Sequence, residues 1–84
     1  MTDEAHRRAL DLADAGDWDS AHAIVQDRDD PVSCWIHANL HREEGDHGNA
    51  AYWYRRAGRS ASRAACPEER RTIRQGLDGG ARSG

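Results

Sequence analysis

The 84-residue chain has no phenylalanine, no lysine and a single methionine. Large apolar side chains are few, with Leu10, Leu12, Ile24, Val25, Trp35, Ile36, Leu40, Ile73 and Leu77 prominent among them. So thin a supply suits no large sheet, and alanine, which does much of the remaining filling, suits helices that approach closely. No stretch alternates apolar and polar residues with period two over a useful length, so no strand is expected. No apolar run reaches the roughly 20 residues that a membrane-spanning helix needs. The opening Met1-Thr2-Asp3-Glu4 is too acidic for a secretory or mitochondrial leader. The only cysteines, Cys34 and Cys66, allow one disulfide at most. Without a leader, the expectation is a cytoplasmic chain with reduced thiols.

A basic surplus is missing too. The formal net charge is -3, which offers nucleic acid no overall electrostatic attraction. The charge is unevenly spread: residues 1–30 hold nine acids and three arginines, whereas residues 31–84 hold nine arginines and six acids. The basic excess lies mainly in Arg55, Arg56, Arg59, Arg63, Arg70, Arg71 and Arg74, interrupted by Glu68 and Glu69. Such a run reads as a solvated face. An acidic partner, including the acidic first third of another copy, fits it better than nucleic acid. A chain of this length makes one domain and buries only roughly 60% of its unfolded surface. Its stability should be modest, which leaves room for a homo-oligomer.

What the sequence does have is helix punctuation. Thr2 or Asp3 can cap a first helix that runs to about Ala15, with Ala5, Ala9, Leu12 and Ala13 on one stripe. Gly16 stops it, and Asp17 caps a second helix from Trp18 to about Asp27. Asp30 followed by Pro31 starts a third, running to about Glu44. Gly45 and Asp46 repeat the stop and cap before a fourth, about His47 to Arg59. A fifth fits Pro67 to Leu77, and residues 78–84 read as a disordered tail after a single domain over residues 1–77.

Gly16-Asp17-Trp18-Asp19-Ser20-Ala21 aligns with Gly45-Asp46-His47-Gly48-Asn49-Ala50, an offset of 29 residues. Each unit is helix, Gly-Asp turn, helix, with a small alanine in the first turn of the second helix where the pair must approach. This pattern resembles the tetratricopeptide repeat. Leu10 to Ala21 looks like that family's turn region, and Gly45, Ala50, Tyr54 and Ala57 fall where its glycine, alanine, aromatic and alanine fall. The run Ala50 to Gly58 is also similar to the Sel1-like repeat, which often carries a Trp-Tyr pair before an alanine. The offset is shorter than the family's usual ~34 residues, and two units are fewer than the three or so that a stack generally needs. The resemblance implies an all-α fold of two antiparallel helical hairpins with a C-terminal capping helix. It also implies a non-enzymatic role in binding a protein or peptide on a concave face lined by first helices.

Two sets of residues on the third helix stand out. Trp35, Asn39 and Arg42 form one stripe, which the repeat register turns toward the concave groove. An aromatic ring, an amide and a guanidinium there suit peptide binding. The same spacing equally suits Trp35 filling the core between hairpins while Arg42 lies in solvent. Cys34, His37 and His41 form another face, with spacing i, i+3, i+7. His22 on the second helix could add a fourth donor, giving thiolate and imidazole ligands for zinc or copper. The same residues serve as well as a polar seam with Cys34 as a small core residue, so no metal or other cofactor is assigned. Tyr52, Trp53 and Tyr54 cannot all face one way on a helix; Tyr54 is expected against the third helix. Glu43 and Glu44 diverge by about 100° and make no catalytic carboxylate pair. No catalytic constellation is present. The leading expectation is an interaction module, and the alternative is a small-ligand or metal site around Cys34, His37 and His41.

Overall fold

A computed structural model describes residues 4–82. The chain forms five helices: α1 (Glu4–Asp14), α2 (Trp18–Val25), α3 (Pro31–Glu43), α4 (His47–Ala57) and α5 (Cys66–Arg82). No strand occurs among the described residues, and the fold is all-α. The expected cap at Thr2 or Asp3 lies outside the described residues. Helix α5 starts one residue before Pro67 and continues past Leu77 to Arg82. The stretch expected as a tail is therefore helical through residue 82, and residues 83 and 84 lie outside the described part.

The two Gly-Asp pairs do the same local work. Gly16 and Gly45 adopt φ of +84° and +86°, the left-handed region that a Cβ disfavours. With the chain so turned, the Asp17 amide donates to the Leu12 carbonyl at 2.9 Å and the Gly16 amide to Ala13 at 3.0 Å. The Asp46 amide donates to His41 at 2.8 Å and the Gly45 amide to Arg42 at 3.0 Å. These paired bonds are the Schellman closure, which satisfies the last carbonyls of α1 and α3. Each aspartate then caps the following helix. Its side chain accepts from the Ser20 amide in one unit and the Asn49 amide in the other, both at 3.2 Å. Asp30 caps α3 in the same way, accepting from the Ser33 amide at 3.0 Å, with Pro31 in the first turn.

The three-residue turns pair α1 with α2 and α3 with α4, and α3 packs against all four other helices. That explains its unusual composition. Ser33, Cys34, Ile36, His37, Ala38, Asn39, Leu40 and His41 are all buried, so α3 has no solvent face over its middle. Ile36 and Leu40 join Ala9, Leu10, Ala13, Ala21, Val25 and Ile73 in the main core. Ala38 meets Ala50 and Tyr54 in a smaller cluster between α3 and α4. The remaining buried faces of α3 are polar, and each needs hydrogen-bonding partners, because an unpaired buried polar group costs about 1–3 kcal/mol.

Candidate functional site

The stripe Trp35, Asn39 and Arg42 converges on one carboxylate. Glu69, in the first turn of α5, is 2% exposed. Its Oε2 accepts from Trp35 Nε1 at 2.9 Å and from the Tyr54 hydroxyl at 2.6 Å. Its Oε1 accepts from Asn39 Nδ2 at 2.8 Å and from Arg42 Nη1 at 2.6 Å. Four donors from two helices thus hold one buried anion, and Arg42 supplies the opposite charge that such burial requires. Arg42 also donates to the Ala64 carbonyl, and Asn39 to the Cys66 carbonyl at 3.1 Å, which fixes the approach of α5. The Arg59 guanidinium lies 3.5 Å from the centre of the Trp35 ring and covers its outer face. Burial and the bond to Glu69 both push the Tyr54 hydroxyl above its ordinary pKa, so it stays a donor.

A second polar system extends this one. Arg70, 4% exposed, donates from Nη1 to Asn39 Oδ1 at 3.1 Å and to Glu43, and from Nε to Asp14 Oδ1 at 2.6 Å. Arg74 donates to Asp11 and Asp14, each at 2.8 Å. Part of the charge asymmetry seen in the sequence is therefore consumed within the chain, where basic α5 meets acidic α1. An open cavity of about 340 Å³ beside this network is lined by Ala13, Asp14, Gly16, Trp18, Leu40, Glu43 and Arg70. Its acidic walls are already paired with Arg70.

His37 and His41 lie with His22 of α2, and Cys34 does not join them. One ligand nitrogen from each of the three imidazoles falls within 4.8 Å of the others. His22 Nε2 and His37 Nε2 are 3.1 Å apart and share a hydrogen bond. His41 Nδ1 donates to Glu44 Oε2 at 2.7 Å. Indole rings close the cluster: Trp18 stacks on His22 at 4.7 Å, and Trp53 stacks on His37 at 3.9 Å. Trp18 Nε1 also donates to the Leu40 carbonyl at 2.6 Å and ties α2 to α3. Burial, and then the neighbouring His22 and His41, push the His37 pKa down to about 3. Burial and His41 also lower that of His22. Cys34 sits one turn away, wholly buried beside Arg56; its thiol pKa is raised, with burial the main cause. It is a small core residue rather than a fourth donor.

Sequence reasoning missed the residue at the centre of the first site. In the sequence Glu69 reads as an interruption in an arginine run and as an acid in the first turn of the fifth helix. The signal was its position one helical turn before Ile73, on the apolar stripe of α5, where a charge is out of place without a partner. Trp18 and Trp53 were likewise not connected with the histidines. Of the three adjacent aromatics, Tyr54 is buried against α3 and Tyr52 is 43% exposed, with Arg56 over its ring. No family model, no curated protein and no solved structure matches this chain. Among the described residues no helix is long and apolar enough to cross a membrane.

Proposed function

We propose that this domain is a non-enzymatic interaction module, of the tetratricopeptide-like type, whose recognition face on α3 is occupied by the chain's own C-terminal helix. The observation that carries the reading is the convergence of Trp35, Asn39, Arg42 and Tyr54 on the single carboxylate of Glu69. A groove that presents an indole N–H, an amide, a guanidinium and a phenol to one point is built to recognise an acid on a helix. Ile73, one turn further along α5, fills the apolar part of the same contact. The segment over residues 58–65, between α4 and α5, contains no helix, so α5 is a tethered occupant rather than the second arm of a tight hairpin. The partner class that follows is a protein helix with a glutamate followed four residues later by a branched apolar side chain. Such a partner competes with a tethered copy of its own motif, whose effective concentration is on the order of millimolar.

A fluorescent peptide spanning residues 64–82, titrated into the full chain, tests this. Wild type should bind it weakly, and a Glu69→Ala/Ile73→Ala chain, whose own helix is loosened, should bind it about tenfold more tightly or better. Adding Arg42→Ala should remove that gain. Glu69→Ala alone serves if the double variant loses the circular dichroism of α1–α4. A folded variant that binds the peptide no better than wild type refutes the reading.

A further inference from the structure

The three imidazoles between α2 and α3, two of them buried and His22 half-buried, have a role that the α5 groove does not explain. We propose that His22, His37 and His41 form a binding site for a divalent transition-metal ion of the zinc, cobalt and nickel group. Three observations meet there.

The first is distance. Two imidazole nitrogens on one tetrahedral ion, with metal–nitrogen bonds of about 2.0–2.1 Å, lie about 3.3 Å apart. His22 Nε2 and His37 Nε2 are already 3.1 Å apart, and all three ligand nitrogens fall within 4.8 Å. His41, one turn of α3 beyond His37, supplies the third nitrogen. The second is the outer partner of His41. Its Nδ1–H donates to the Glu44 carboxylate at 2.7 Å, which leaves Nε2 as the lone-pair nitrogen. Carboxylate behind imidazole is the arrangement that orients metal-bound histidines and raises their basicity. The third is ring fixation: His37 is 3% exposed, Trp53 stacks on its ring at 3.9 Å and Trp18 stacks on His22 at 4.7 Å, which holds two of the three ligands in place.

The donor set selects the ion. Neutral imidazole suits zinc, nickel, cobalt and copper(II) and disfavours calcium and magnesium. Three protein ligands leave at least one coordination position for water or an added ligand, unlike the closed four-ligand structural sites. The ion would also join α2 to α3, so its binding energy would stabilise the packing of the two helix pairs. Trp18 and Trp53, stacked on two of the ligands, place fluorophores against the ion.

The untagged, chelator-treated full chain is titrated with zinc chloride and, separately, with cobalt chloride. One equivalent of zinc should raise the thermal midpoint. At a free zinc concentration of one hundred times Kd, the unfolding equilibrium constant should fall about 100-fold. Cobalt should give the intense visible absorption of four-coordinate geometry and quench the tryptophan fluorescence. His22→Gln, at the less buried end of the cluster, should abolish both signals while the far-ultraviolet circular dichroism is kept. Glu44→Gln should weaken binding about 10–100-fold. Cys34→Ser and His47→Gln should change neither signal. An unmoved midpoint with no cobalt absorption overturns the proposal, as does a folded His22→Gln chain that binds as wild type does.

Discussion

Glu69→Gln removes one charge and almost no volume, so it isolates the electrostatic part of the α5 contact. The wild-type carboxylate accepts four hydrogen bonds, two on each oxygen. Glutamine keeps one acceptor oxygen and turns an NH₂ group toward the other pair of donors. The less costly orientation leaves the carbonyl with Asn39 and Arg42, since the Tyr54 hydroxyl can rotate and accept from the new amide. Trp35 Nε1 then has no acceptor, at about 1–3 kcal/mol. Arg42, only 15% exposed at its side chain, loses its counter-charge. Breaking a buried ion pair from one side costs about 3–5 kcal/mol, and the two losses overlap because they share one network. We therefore expect Glu69→Gln to lose about 3–5 kcal/mol in urea unfolding followed by circular dichroism at 222 nm. A domain of this size holds in all roughly 4–13 kcal/mol, so the loss is a large share of the total. Replacing both charges, Glu69→Leu with Arg42→Leu, should be less damaging than Glu69→Gln alone, because no charge is stranded. A loss below about 1 kcal/mol for Glu69→Gln would refute the view that this carboxylate organises the α3–α5 contact.

Two further outcomes follow from local geometry. Gly45→Ala should cost about 1–2 kcal/mol in the same assay, because φ is +86° there while a new Cβ meets nothing within 4 Å; the penalty is conformational rather than steric. Gly48→Ala, three residues on and also in open space but at ordinary φ inside α4, should instead raise stability by up to about 1 kcal/mol. On acidification, burial alone would raise the Asp30 carboxyl, but hydrogen bonds from the Ser33 side chain and amide and from His6 outweigh it and hold it well below the usual carboxylate range. Its contribution to stability is therefore complete above about pH 4, the unfolded value, and is lost as pH falls below it. Because the side chain is 38% exposed, the slope should be well under the limiting ~1.4 kcal/mol per pH unit. Urea midpoints between pH 5 and 3 should show that loss in wild type and a smaller one in Asp30→Asn, which keeps the cap.

The helix boundaries were legible because they are written in short-range chemistry. Gly16-Asp17 and Gly45-Asp46 each combine a stop with a cap, Asp30-Pro31 joins a cap to a first-turn proline, and all three mark observed boundaries. The end of α5 was not legible from the same rules: Gly79 and Gly80 look like terminators, yet the helix runs to Arg82. The two polar stripes of α3 were visible from helical spacing, as were their separate faces. What covers them was not, because each partner lies far along the chain: Glu69 is 34 residues from Trp35, and His22 is 15 from His37. Spacing along one helix orients a side chain but does not say which other helix meets it. Cys34 illustrates the limit. It shares a face with His37 and His41, yet one turn along the axis puts it beside Arg56 instead of His22.

The late position of α5 has a consequence for synthesis. Residues 66–77 leave the ribosome after α1 to α4, which have had time to collapse. Until then Trp35, Asn39, Arg42 and Tyr54 offer four donors and no acceptor, and Ile73 is missing from the core. The nascent chain thus passes through an interval in which its most adhesive surface is open. Closure then requires contacts spanning as many as 63 residues, as between Arg74 and Asp11. A premature stop anywhere before Glu69 would make that interval permanent, leaving the α3 donors open to aggregation or to capture by another helix.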